Sequence, residues 1–369
     1  MKAKVIAFCK KETVFVIAVL IAIVSAFFVM PSMEYLGYLD YKVLALLFCL
    51  MIIVAGLKEQ GTFTYLGERL AGKVKNSRQM CLLLVLLCFF SSMFITNDVA
   101  LLTFVPFAIE LLYLAGLEDK CIKVVVLQTI AANLGSMFTP VGNPQNLYLY
   151  GVSGMGILEF LLFMLPLTVL SLGMLFVVIL MEKPKAVVTG IQEEEVVPDK
   201  KKVLIYAALF VICLLTVIRI LPWQVSLAIV SVAIFIVDRK LFSKVDYCLL
   251  GTFVGFFIFV GNMQNIPAIS EMLQRLLYGR ELILSVLASQ VISNVPAAML
   301  LSGFTENYRE ILYGVNIGGL GTLIASLASV ISYKLYGECK NAQRGKYMGV
   351  FTAYNLVFLA VLLVASCIS

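Results

Sequence analysis

The chain contains no histidine among its 369 residues. That absence removes Ser-His-Asp and Cys-His catalysis, HExxH zinc sites and haem ligation by imidazole. Charge is scarce as well: Asp, Glu, Lys and Arg together make up 14% of the chain, too little to cover a water-facing surface of this size. CxxC pairs are lacking too. The nine cysteines occur singly and mostly inside apolar runs, where cysteine acts as a small hydrophobe, so neither a metal site nor a disulfide framework is expected.

What is present is apolar: hydrophobic residues account for 62% of the sequence. Runs of bilayer-spanning length recur from end to end, which predicts an all-α polytopic membrane protein embedded in the plasma membrane. The net charge of +6 does not point to nucleic acid, because Lys and Arg lie in loops between the apolar runs, where they orient helices. A cleaved signal peptide ending near Val24-Ser25-Ala26 is disfavoured, since the first run is too long for one and stays apolar past that point.

Nine crossings are read near 13–30, 43–57, 122–150, 157–181, 203–219, 222–237, 247–262, 311–337 and 348–368. Two further stretches, 80–114 and 281–303, are interrupted by the polar tips Thr96-Asn97-Asp98 and Ser293-Asn294-Val295-Pro296. Each reads as a re-entrant helical hairpin that enters and leaves by one face. With the N-terminus cytoplasmic and the C-terminus outside, 23 of the 28 basic residues fall inside and five outside, the bias that the positive-inside rule requires. Counting a single hairpin as one crossing would reverse every later loop and spoil that bias. Segments 58–78 and 263–279 mix charged and apolar residues and read as amphipathic helices in the interface.

A polar linker from Glu182 to Lys202 divides the chain. Residues 1–181 form a first repeat with the hairpin 80–114 and a broken helix at 122–150. Residues 182–221 are a cytoplasmic linker with a connecting helix. Residues 222–369 form a second repeat with the hairpin 281–303 and a broken helix at 311–337. The two begin on opposite faces and are therefore read as inverted repeats. Residue matches support this. Thr96-Asn97-Asp98-Val99-Ala100 aligns with Ser293-Asn294-Val295-Pro296-Ala297 at an offset of 197. Asn133-x-Gly135-Ser136-x-x-Thr139-x-x-Gly142-Asn143-x-x-Asn146 aligns with Asn316-x-Gly318-Gly319-x-x-Thr322-x-x-Ala325-Ser326-x-x-Ser329 at an offset of 183.

The stretch Thr139-Pro140-Val141-Gly142-Asn143-Pro144 cannot continue a helix, and backbone groups freed inside a bilayer survive only where they line a cavity. Half-helix N-termini can hold an anion, and unwound carbonyls with amide side chains can hold a cation. The two tips and two breaks thus predict one midplane site. Its substrate-binding residues are read as Thr96, Asn97, Thr139, Gly142, Asn143, Ser293, Asn294, Thr322 and Ser326, and its cation-coupling residues as Asn97, Asp98, Asn146 and Asn294. Asp98 is the acid placed deepest in the membrane, with no basic neighbour in these motifs, so it is expected to bind a sodium ion or carry a proton. The simpler role for Asp98 is a helix cap. For Asn97, Asn143, Asn294, Thr139, Thr322 and Ser326 the simpler role is interhelical hydrogen bonding. Gly251-x-x-x-Gly255 is read as a packing motif and the Gly318-Gly319-x-Gly321 cluster as no nucleotide loop.

These motifs resemble the ion transporter superfamily, which includes divalent anion/sodium symporters, citrate transporters, arsenite permeases and D-type sodium/proton antiporters. Ser293-Asn294 looks like the start of the family's Ser-Asn-Thr hairpin signature, Thr96-Asn97-Asp98 like the Asn-Asp form of arsenite and citrate permeases, and Asn133 through Asn146 like its broken-helix motif. The resemblance implies a homodimer, with a fixed scaffold and a transport domain that moves as an elevator. It implies a secondary active transporter for a small anion, and no enzyme; an arsenite-type efflux permease would add a soluble ATPase partner, and a sodium/proton antiporter is the other variant. Where the signature has threonine, Asp98 and Val295 stand here, which sets dicarboxylate recognition apart from this chain.

Overall fold

A computed structural model describes residues 12–72, 74–185, 198–339 and 341–367, with the side chain of Glu68 left out. Among the described residues the regular structure is helical. The first helix, α1 (Thr13–Ala26), packs on α11 (Tyr247–Gln264), and the small-residue reading of Gly251 and Gly255 holds there: a Cβ on Gly255 would lie 2.9 Å from the backbone of Ala18. Between them in sequence come α2 (Tyr41–Glu59), α3 (Thr62–Ala71), α4 (Ser77–Ile95), α5 (Asn97–Leu114), α6 (Cys121–Ser136), α7 (Pro144–Ser153), α8 (Ile157–Leu180), α9 (Lys200–Val217) and α10 (Trp223–Asp238). After α11 follow α12 (Pro267–Leu277), α13 (Glu281–Ile292), α14 (Asn294–Ser302), α15 (Tyr308–Gly318), α16 (Leu327–Gly337) and α17 (Arg344–Ser366).

The interruptions read from sequence become breaks. The 122–150 run splits into α6 and α7, with residues 137–143 unwound between them, and the 311–337 run splits into α15 and α16. Pro144 opens α7, where its missing N–H costs nothing, and Asn143 caps it by accepting from Asn146 N at 2.8 Å. Each polar tip becomes a one-residue corner: Thr96 joins α4 to α5 and Ser293 joins α13 to α14, and the joined helices pack on each other.

Arm length differs between the two pairs. At 19 and 18 residues, α4 and α5 run about 28 and 27 Å and are each long and apolar enough to cross a bilayer, whereas α13 and α14 have 12 and nine residues. Six described helices reach crossing length and apolarity: α2, α4, α5, α8, α11 and α17.

Polar contacts tie several of the loops to one another. Arg78 Nη2 donates to Glu182 O at 2.6 Å, Glu182 accepts from Lys120 and Lys123, and Lys244 pairs with Glu59 at 2.9 Å. A second group joins Arg309 to Glu159, Arg219 to Gly154 O and Asn265 to Tyr38. Burial works against the Glu182 carboxylate, yet the hydrogen bonds from Lys120 and Lys123 outweigh it and hold its pKa below the ordinary range.

Candidate functional site

Both corner residues carry positive φ: Thr96 has φ 67° and ψ 150°, Ser293 φ 74° and ψ 155°. Residues with side chains avoid this region, at a cost of ~1–3 kcal/mol each, unless the surroundings hold them there. What holds them is the paired broken helix. Asn97 N donates to Gly142 O at 3.2 Å, and Ser293 Oγ donates to Ala325 O at 3.4 Å, the position that matches Gly142.

Other contacts recur at matched positions. Thr139 Oγ donates to Met93 O and Thr322 Oγ to Gln290 O, each acceptor lying three residues before its corner. Gly135 and Gly318 let the helices approach: a Cβ on Gly135 would lie 2.1 Å from Phe89 O and 2.6 Å from Ser92 Oγ, and one on Gly318 would lie 2.8 Å from Ser289 Oγ. Ser92 and Ser289 again differ by 197. At Gly135 the approach requires glycine, because a backbone carbonyl cannot swing aside, whereas at Gly318 the nearest atoms belong to the Ser289 side chain.

Around the corners lies a buried network of neutral amides and hydroxyls. Asn97 Nδ2 donates to Asn133 Oδ1 at 3.0 Å, and the same oxygen accepts from Ser326 Oγ at 3.0 Å. Asn133 Nδ2 reaches Gly319 O at 3.4 Å. From Ser136, whose Oγ donates to Asn133 O, the chain of bonds passes to Asn143 Nδ2 at 3.1 Å and on to Asn316 Oδ1 at 3.2 Å. Asn316 Nδ2 closes it on Asn146 Oδ1 at 2.7 Å. None of these bonds involves a basic side chain.

The residues read from sequence fall into three groups. Asn97, Asn143, Asn146 and Ser326 are joined in the network, with Gly142 tied to it through its carbonyl. Ser293 and Asn294 are buried beside it; a Cβ on Gly319 would lie 2.9 Å from Asn294 Nδ2. Thr96, Thr139 and Thr322 stand apart in role: Thr96 is the strained corner, and the hydroxyls of Thr139 and Thr322 are spent on backbone carbonyls. Asp98 makes no cap: its carboxylate Oδ1 is enclosed and meets no hydrogen-bond partner among the described residues. Three network members lay outside the set chosen from sequence. Asn133, Ser136 and Asn316 stood inside the aligned motifs, so the 183-residue offset carried their signal. Gln290, whose amide spans Gly318 O, Leu320 O and Thr322 N, had no such signal.

A citrate transporter family model matches residues 5–307. The chain belongs to the citrate transporter family. It is 32% identical over 335 residues to an uncharacterized transporter of Methanocaldococcus jannaschii, covering 90% of this chain and 91% of that one. It is 31% identical over 332 residues to the inner membrane protein YbiR of Escherichia coli, covering 88% of each. A shorter match of 33% over 148 residues, 40% of this chain and 30% of the other, reaches a silicon efflux transporter of Oryza sativa. The family and its members are transporters, and this chain is a multi-pass membrane transporter rather than an enzyme. In the transporter, the amide network and the two corners are the candidate site.

Proposed function

We propose that this transporter moves a small organic or inorganic anion, coupled to sodium or protons, through a site formed by two inverted repeats. The observation that carries the reading is the meeting of four helix N-termini, those of α5, α7, α14 and α16, around one network without a basic side chain. Aligned peptide dipoles leave partial positive charge and free N–H groups at such ends, enough to hold an anion in a medium of low dielectric. The contacts repeated at offsets of 197 and 183 support the inverted repeats and the hairpin reading of both helix pairs. Asp98, with an unpartnered oxygen beside the first corner, is the group suited to the coupling cation or proton, with Asn97 and Asn294 as neutral neighbours.

In this reading the corners and broken helices travel as one body against a scaffold that includes α1, α2 and α11, in a homodimer of the plasma membrane with a cytoplasmic N-terminus and an external C-terminus. A second reading is efflux of a neutral hydroxide such as arsenite, with an ATPase partner in the arsenite-type case. It is favoured by Asp98, whose charge would repel an anion unless neutralised. The test is flux in proteoliposomes of candidate anions and neutral hydroxides against imposed sodium or proton gradients. Uptake that follows either gradient supports coupling; flux indifferent to both overturns it.

A further inference from the structure

We propose that the side-chain amide of Asn146 occupies, as a built-in neutral donor, a place in the first broken helix that an alkali cation would otherwise fill. Asn146 is then a positioning residue that keeps cation coupling at the Asp98 corner, an inference resting on the transport reading above. Three carbonyl oxygens converge on Asn146 Nδ2: Met137 O at 2.9 Å, Thr139 O at 3.2 Å and Ser136 O at 3.4 Å. An amide nitrogen carries only two hydrogens, so three acceptors exceed what it can satisfy. The carbonyls lie where the chain leaves the helix after Ser136 and resumes it at Pro144, and of the three Thr139 O also accepts from Gly142 N at 3.3 Å. Unwound carbonyls aimed at a common centre are what broken transporter helices offer to a cation, and an all-oxygen shell suits a hard one.

The orientation of the amide follows from its other end. Asn146 is fully buried and its Oδ1 accepts from Asn316 Nδ2 at 2.7 Å, while Asn316 Oδ1 is taken by Asn143. Nδ2 therefore faces the carbonyls. In the second half the matched position is Ser329, whose buried Oγ has no partner among the described residues and is too short to serve. There the unwound carbonyls are met by other amides: Gln290 Nε2 at 2.8 and 2.9 Å from Gly318 O and Leu320 O, and Asn133 Nδ2 at 3.4 Å from Gly319 O. Each break is thus satisfied by a donor of the protein itself, and in the first break Asn146 supplies it.

The experiment is thermal unfolding of purified protein in sodium, potassium or choline chloride at equal ionic strength. Wild type is run beside Asn146→Ala, which opens the carbonyl cradle, and Asn146→Asp, which gives a cation an anionic partner in it. Each variant is also made in an Asp98→Asn background. A gain of roughly 3 °C or more in an alkali salt over choline, beyond any wild-type gain and surviving Asp98→Asn, is expected in at least one variant. A wild-type response in both variants overturns the proposal, as does failure of both to fold in every alkali salt. Because no substrate is involved, loss of gradient coupling in the flux assay would count against the transport reading alone.

Discussion

Thr96 and Ser293 occupy a backbone region that favours glycine, at positions where the sequence carries hydroxyl residues instead. Strain of that kind persists where neighbouring contacts over-determine it, and here each corner is bonded to a broken helix. The asparagines that follow are expected to carry transport. Asn97→Ala leaves Asn133 Oδ1 with one donor fewer, and Asn294→Ala removes the amide beside Gly319, so each is expected to cut flux roughly tenfold or more, as the loss of a buried hydrogen bond worth ~1–3 kcal/mol implies. Vesicle uptake at matched expression checks this, and normal uptake by either variant removes that residue from the site. Asp98 separates two roles. Asn replaces Asp well as a helix cap, but it holds no charge. Asp98→Asn is therefore expected to flatten the dependence of flux on the sodium or proton gradient while leaving folding intact. An unchanged gradient dependence would return Asp98 to a structural role.

Between elements, a polar clasp gathers around Glu182. Glu182 accepts from Lys120 and Lys123, its carbonyl accepts from Arg78, and Lys185 O accepts from Ser77 N at 2.8 Å. The end of α8 is thereby fastened to the starts of α4 and α6. Because the folded-state pKa of Glu182 lies below its ordinary value of 4.5, the clasp contributes fully above that pH and is lost as pH falls through the lowered value. Glu182→Gln is expected to lower the melting temperature at pH 7. That difference should shrink toward zero as the pH falls through the lowered pKa of Glu182. A difference that stays constant with pH would mean that the carboxylate charge is not what fastens the clasp.

Across the whole molecule, a labelling experiment tests the two faces expected from the loop charges. In a cysteine-free background, Lys240→Cys is expected to react only from the cytoplasmic side and Glu306→Cys only from outside; both residues are exposed. Reaction of both from one side would break the topology. Much of this frame was legible in the chain itself. Pro140, Gly142 and Pro144 announce a broken helix, because two prolines and a glycine within five residues remove backbone donors and helix preference together. The arms of the first corner were less legible: nothing in an apolar run says where its helices begin, and the structure extends α4 back to Ser77 through the Asn76 cap. The termini used to infer orientation, 1–11 and 368–369, lie outside the described residues.

The sequence by itself determined that the chain lives in a bilayer, that it is helical, and where its four interruptions fall. These follow from local causes: apolar run length, proline and glycine chemistry, and the need for backbone groups to be paired within lipid. Only the tertiary structure decided which asparagine answers which. Asn133 joins Asn97 to Ser326, which lies 193 residues beyond Asn133 itself, and Asn316 joins Asn143 to Asn146 from the other half. An amide can donate and accept in many arrangements, so its partners are chosen by which helices meet, and helices distant in the chain meet only once it has folded.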